Sequence, residues 1–445
     1  MSAELQGWID AEYRYAATAM LRSVSATGLV KQRAGFAQTV RPVRGSIIAS
    51  PVPGAYDPDP DYFFHWYRDS AVVLEALRLL FEDHTLGDEA HTHFADFVRF
   101  NRALQQLDGR VLTANPDRRA GMAADFLKFV RDDDELSQVH GAAVVAETRV
   151  NPDGSLDISK WARPQHDGPP LRALALLRWL ARIAPPAAIA DEAAALIRDD
   201  LAFTAAHWQQ PSYDIWEEEQ GLHYYTLRVS AAALDEGADW LRAGGERDLA
   251  QGFRRDAAAI LQALDGFWDD ALGHYRSRQL AGGARSAKAL DIAVVLAAIH
   301  AAPEARAGQA HSAADAKMQA SFARLEALFD AAYAINRQRP AGRGVAFGRY
   351  PGDVYYSGGA YYFSTLGAAE FCFRAAALGS EPQVWRARGD SLLEMVRAYT
   401  PASGELSEQF DQNDGHQSSA RHLAWSYAAF ISCVTARRQL PASAG

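Results

Sequence analysis

Residues 360–399 read AYYFSTLGAAEFCFRAAALGSEPQVWRARGDSLLEMVRAY. Two helical stretches, 360–378 and 382–399, meet at the single turn Leu378-Gly379-Ser380, and the first is apolar and Ala-rich. A long loop, 400–417, follows. This unit of helix, tight turn, helix and long loop recurs along the chain. Val73, Ala76, Leu77 and Leu80 fall at i, i+3, i+4 and i+7. So do Leu176, Trp179, Leu180 and Ile183, then Ile292, Val295, Leu296 and Ile299, then Tyr427, Phe430, Ile431 and Val434. The periodicity predicts twelve helices, near 3–25, 69–82, 87–107, 170–184, 187–208, 225–243, 247–265, 287–301, 313–331, 360–378, 382–399 and 418–438.

The connections alternate between short turns and the long loops 27–68, 108–169, 209–224, 266–286, 332–359 and 400–417. Six long loops alternating with five turns is what a ring of helical hairpins produces, with every long loop at one end. The expected fold is therefore all-α, a six-hairpin toroid of two concentric layers, with the Ala-rich helices in the inner layer. Long loops of this kind are usually functional.

The chain has 445 residues, about half of them hydrophobic, which is ample for a large core. Its formal net charge of -10 disfavours phosphate backbones and anionic lipid, so neither nucleic acid nor membrane is an expected partner. Cys372 and Cys433 sit in apolar helical patterns and read as buried free thiols, with no zinc spacing. The segment 1–26 carries charges throughout and does not read as a signal peptide, and no run reaches the length of a membrane span. A cytoplasmic protein is expected if this N-terminus is native, a secreted one if a leader was removed. No linker interrupts the pattern, so residues 1–445 are read as one domain; the sequence does not give its oligomeric state, and a monomer is the expectation.

The long loops carry the chemistry. Trp66-Tyr67-Arg68-Asp69-Ser70 precedes a helix, where Asp69 could cap the helix or, with Arg68, grip sugar hydroxyls. Trp161 precedes Arg163-Pro164-Gln165-His166-Asp167-Gly168, either as a loop anchor or as a platform at a pocket rim. Tyr213-Asp214-Ile215-Trp216-Glu217-Glu218-Glu219 could be a solvated helix start. A general acid must hold its proton, however, and a neighbouring carboxylate and an apolar flank (Trp216) favour that. Gly348-Arg349-Tyr350-Pro351 and Ser407-Glu408-Gln409-Phe410-Asp411 complete the set, while 266–286 carries no obvious chemistry. The pairing of acidic segments around Glu217 and Glu408 suits inverting cleavage of a glycosidic bond, which needs one carboxylic acid and one carboxylate across a sugar ring.

Together these five segments, in order and spacing, resemble the signature regions of the glucoamylases, glycoside hydrolase family 15, over roughly residues 30 to 440. The resemblance implies an (α/α)6 barrel and an inverting, exo-acting hydrolase that needs no metal or organic cofactor. It implies Glu217 as general acid and Glu408 as general base. Arg68 and Asp69 are implied to bind the terminal glucose, and Arg349, Trp216 and Glu218 to contact the units flanking the scissile bond. Tyr62, Trp66, Trp161, Gln409 and Trp425 are similar to the remaining pocket lining.

One position departs from the family pattern. Tyr361 follows Ser357-Gly358-Gly359-Ala360 where members often carry Trp, near the leaving-group side. No starch-binding domain and no N-terminal β-sandwich are read, so soluble maltooligosaccharides are the expected substrates. Trehalase, glucodextranase and α-1,6-specific exo-glucosidase activities remain open on the same framework, as does a non-catalytic α-glucan-binding regulator.

Overall fold

The computed structural model describes residues 3–54, 59–301, 309–337, 339–379 and 381–441; Ser380, in the turn read above, lies outside them. Twelve helices of nine residues or more stand among the described residues. They are α1 (Ala3–Leu21), α2 (Tyr67–Glu82), α3 (Glu89–Leu104), α4 (Gly168–Leu180), α5 (Ala187–His207), α6 (Tyr224–Ala243), α7 (Arg247–Asp265), α8 (Ala293–Ala301), α9 (Ala316–Ala332), α10 (Tyr362–Leu378), α11 (Pro382–Tyr399) and α12 (Ala424–Arg438).

The even-numbered helices close a ring, α2 on α4, α4 on α6, α6 on α8, α8 on α10, α10 on α12 and α12 on α2. The odd-numbered helices pack outside it: α5 on α4, α7 on α6, α9 on α8, α11 on α10 and α1 on α12. Burial separates the layers as composition requires. Fourteen of the seventeen residues of α10 are buried, against five of eighteen in α11. An inner helix touches neighbours on every side, so it tolerates no polar face, whereas an outer helix needs only one apolar stripe. Close approach demands small residues. A Cβ on Gly367 of α10 would lie 2.5 Å from Leu296 of α8, and one on Gly389 of α11 would meet the ring of Phe373 at 2.5 Å. One hydrophobic cluster runs from Leu5 on α1 to Leu440 beyond α12 and fuses both layers. No described helix is long and apolar enough to cross a membrane.

Short antiparallel ladders tie the long loops together where the inner helices begin. His65–Trp66 pairs with Arg149–Val150. Gln220–His223 lies between Ser212–Tyr213 and Arg278–Leu280. Gln409–Phe410 lies between Ala360–Tyr361 and Gln417–Ser418. Two inner helices start later than their periodicity suggests, α8 at Ala293 and α12 at Ala424. Asp291 accepts from Ala293 N–H at 2.8 Å, which sets the start of α8, and Gln417–Ser418 is held in a ladder.

Candidate active site

The three consecutive glutamates point three ways. The strands Ser212–Tyr213 and Gln220–His223 form a hairpin whose tip runs from Asp214 to Glu219. The tip is closed by Glu217 N–H to Asp214 O at 2.9 Å and by Glu218 N–H to Asp214 Oδ1 at 2.8 Å. Glu217 takes a left-handed backbone, φ 66°, which a residue with a Cβ adopts only where its surroundings hold it. That twist separates its neighbours' directions. Glu217 faces Trp66, Trp161 and Arg68. Glu218 faces Arg349 and Tyr350. Glu219 turns back to Arg278 Nη1 (2.8 Å) and Ser286 Oγ (2.7 Å). A solvated helix start is therefore not what this run forms.

Glu217 receives donors on both oxygens. Trp66 Nε1–H (2.8 Å) and Arg68 Nη2 (3.2 Å) reach Oε1, and Trp161 Nε1–H reaches Oε2. Glu408 is the second carboxylate. Its backbone N–H goes to Ala420 O at 2.7 Å, its Oε1 accepts from the Tyr62 hydroxyl at 3.2 Å, and its Oε2 accepts from the Ser419 hydroxyl. Burial pushes the Glu408 carboxyl up to about 7, against the opposing pull of the Ser419 hydroxyl, the Arg349 cation and the Tyr62 hydroxyl. The rings of Tyr62 and Trp66 stand 5.3 Å apart. Two carboxylates from distant loops are thus held by one contacting aromatic pair.

Beside Glu217 lies a buried ionic group. Arg68 stands 3.4 Å from Asp69 Oδ2, 3.3 Å from Asp167 Oδ2 and 3.2 Å from Glu217 Oε1. Asp69 does not cap α2; the capping position is Trp66, and it makes no side-chain cap. Burial raises the Asp69 carboxyl to about 6, with Arg68 opposing. Asp69 Oδ2, Asp167 Oδ1 and Arg68 Nε are buried without a hydrogen bond. Buried polar atoms are normally satisfied. Three orphans clustered together fit a ligand rich in hydroxyl groups, which both donate and accept.

A second cluster borders Glu218. Its Oε1 accepts from Arg349 Nη2 at 3.2 Å and from the Tyr350 hydroxyl at 2.6 Å, and its Oε2 lies 2.6 Å from Lys288 Nζ. Arg349 is locked by a two-pronged bond to Asp353, both arms 2.6 Å. Trp216 donates to Asp291 Oδ2 at 2.9 Å and stacks on Phe363 and Trp425, with centroids 5.9 and 6.4 Å apart. Its ring therefore belongs to the floor of the site. Trp425 joins that floor beneath Arg68, 5.5 Å from the guanidinium.

Two of the expected lining residues stand behind the wall. Gln409 and Tyr361 are both 0 % exposed and face each other across the ladder. The Gln409 amide donates to the Tyr361 hydroxyl (2.8 Å) and Tyr355 O (3.1 Å), and accepts from the Ser357 hydroxyl (2.8 Å). Tyr361 in turn donates to Asp353 Oδ2 at 3.2 Å. Gln409 thus spends its hydrogen bonds on the protein, and its expected place in the pocket lining is corrected to one of support.

Loop 266–286 also departs from its reading. It supplies Arg278, 1 % exposed at the side chain, which binds Asp214 (2.6 Å), Glu219 (2.8 Å) and Asp291 (2.5 Å) and so anchors the hairpin that carries Glu217. Sequence reasoning did not assign Asp167, Lys288, Asp291, Asp353 or Ser419. Asp167 lay inside a quoted segment. Asp353 and Ser419 pair within their own connections, with Arg349 and Glu408, but nothing in the spacing singled them out; Lys288 and Asp291 meet Glu218 and Trp216 from other loops.

The model of the family Glycosyl hydrolases family 15 matches residues 17–115, 144–388 and 375–435. The chain is 26% identical over 480 residues to a probable glucoamylase of Schizosaccharomyces pombe, covering 99% of this chain and 94% of that protein. It is 29% identical over 446 residues to the glucoamylase of Neurospora crassa, covering 88% of this chain and 63% of that protein. A solved glucoamylase of Hypocrea jecorina superposes with a TM-score of 0.80 at 26% identity, covering 99% of this chain and 73% of that one. The glucoamylase of Hormoconis resinae superposes at 0.77 and 27% identity, covering 98% of this chain and 74% of that one.

Proposed function

The chain belongs to glycosyl hydrolase family 15, and on that footing we propose that it is an inverting, exo-acting glucoamylase releasing β-D-glucose from soluble α-glucans. Terminal α-1,4 bonds of maltooligosaccharides are the main target, with α-1,6 bonds cut more slowly. The observation that carries the reading is the Tyr62–Trp66 pair, whose contacting rings hydrogen-bond Glu408 and Glu217 respectively. Two carboxylates so held can flank one sugar ring.

Glu217 gives its proton to the glycosidic oxygen as the bond breaks. The negative charge left on it is received by the Trp66 and Trp161 N–H groups and by Arg68. Donors aimed where charge develops favour the transition state over the ground state. Glu408, ionised, takes a proton from a water on the opposite ring face, which attacks the anomeric carbon. Arg68, Asp69 and Asp167 hold hydroxyls of the terminal glucose through the atoms that make no hydrogen bond within the protein. Because these groups are buried, the chain end stops there, and cleavage proceeds one unit at a time. Glu218 and Arg349 meet the sugar beyond the scissile bond.

Incubation with maltose, isomaltose, trehalose and dextran, followed by anomer-resolved NMR, tests this. Glucose from maltose with the β-anomer first is the expected result. The α-anomer first, or binding of maltooligosaccharide without hydrolysis, would overturn it. Release from trehalose or dextran ahead of maltose would move the linkage assignment while keeping the mechanism.

A further inference from the structure

A buried chain of charges lies behind the Glu217 cradle, drawn entirely from the long loop between α3 and α4. Arg131 binds Glu147 with two arms, at 2.8 and 3.0 Å. Glu147 also accepts from Arg163 Nε at 2.7 Å, Arg163 reaches Asp157 at 2.9 Å, and Asp157 binds Arg149 Nε at 2.8 Å. All five side chains are 6% exposed or less. The sequence reading assigned none of them.

The chain of charges ends on Arg149, whose one carboxylate partner among the described residues, Asp157, is shared with Arg163. Its positive charge is therefore only partly neutralised by the network. The guanidinium lies 3.7 Å from the Trp161 ring, 4.8 Å from the Trp66 ring and 4.0 Å from the Phe64 ring. Arg149 is also the register partner of Trp66 in the ladder. One guanidinium thus packs against both indoles that donate to Glu217. A cation on an aromatic face draws electron density from the ring, which strengthens the N–H as a donor, and a planar group wedged between rings limits their tilt.

We infer that Arg149 is a positioning residue for the proton donor: anchored by Asp157, it orients and polarises Trp66 and Trp161, which hold Glu217. The inference rests on the assignment of Glu217 as general acid. Arg149 contacts no reacting atom; it acts chiefly through the indoles, its charge also attracting the Glu217 carboxylate at a distance. A hydrogen bond misdirected by a fraction of an ångström loses strength where the transition state needs it. The consequence therefore falls on turnover rather than on binding.

The test is a double-mutant cycle on maltotriose hydrolysis with Arg149→Met, Trp161→Phe and the double variant. Arg149→Met is expected to lower kcat about tenfold and to change KM by less than about twofold. The double variant is expected to fall short of the product of the two single effects by at least about fivefold, because both act on the same donor. If the Met variant does not fold, Arg149→Lys, which keeps the charge but loses the planar fork, is expected to lower kcat less than about tenfold and to couple to Trp161→Phe in the same direction. Single effects that multiply, a change confined to KM, or a kcat that does not move would overturn the inference. Glu217→Gln, run alongside, separates the two ideas. A nearly inactive Glu217→Gln with multiplying effects defeats only the role of Arg149. A Glu217→Gln of normal turnover defeats the acid assignment itself.

Discussion

Ser419 donates its hydroxyl to Glu408 Oε2 from a backbone held in the left-handed region, φ 63°. The residue sits just past the Gln417–Ser418 strand, which pairs with the strand that follows Glu408. A ladder between two pieces of one long connection therefore delivers a hydroxyl to a carboxylate. That hydroxyl opposes the upward push of burial on Glu408, which stands at about 7.

Ser419→Ala removes one of the groups that hold the Glu408 carboxyl down, so its ionisation moves to higher pH. A general base works only when ionised, and it loses activity as pH falls through its pKa. The acidic limb of kcat/KM against pH, which reports the free enzyme, is expected to shift upward in the variant. A limb that stays in place or moves downward would contradict the role given to Ser419.

Glu217→Gln and Glu408→Gln each remove one of the two proposed proton-transfer groups while preserving shape. General acid or base catalysis is worth about 10²–10⁴ in rate, and turnover on maltotriose is expected to fall by at least that much in each variant. KM should change far less, since the proposed hold on the terminal glucose lies with Arg68, Asp69 and Asp167. Near-normal turnover in either variant would remove that residue from the mechanism.

Glu408 also affects stability. Its carboxyl is raised by burial from 4.5 in the unfolded chain to about 7 in the fold. Between those values the folded state binds more protons, so stability falls as pH rises through that window. The loss amounts to about 3 kcal/mol above pH 7. Glu408→Gln carries no such penalty. Its melting temperature is expected to exceed that of the parent at pH 8, with the gap closing by pH 4. A constant gap, or one that grows on acidification, would refute this linkage.

Tyr361→Phe strips one hydroxyl from a ring that is 0 % exposed. Gln409 then keeps a buried N–H without its acceptor, and Asp353 Oδ2 loses a donor. A buried group left unsatisfied costs about 1–3 kcal/mol, which a lowered urea midpoint at unchanged slope would reveal. An unaltered midpoint would show that the hydroxyl is dispensable to the support of Arg349.

Much of the architecture was legible along the chain. An inner helix must be apolar nearly all round and an outer one amphipathic, and both demands are local periodicities. Alternating connection lengths then place the loops at one end. Element starts were less legible where a tertiary contact decides them: α8 waits for Asp291, which is committed to Arg278 and Trp216, and α12 follows a ladder and the turn at Ser419.

Residue types drew attention to the segments around Glu217, Glu408, Arg68 and Asp69, because few side chains can donate a proton or grip a hydroxyl, and the family resemblance singled out those four within them. Local sequence could not say that three adjacent glutamates diverge, since that follows from one left-handed residue at a hairpin tip. Nor could it say that Gln409 faces inward while its neighbour Glu408 faces Tyr62. It could not show that Asp167, Asp353, Lys288 and Ser419 complete the site, or that Arg149 lies beneath two indoles. Several of those relations join loops far apart in the chain, others turn on how one connection folds back on itself, and in each a hydrogen bond or a cation against a ring is settled by distance and direction in space. The ring of inner helices sets both only once it has closed.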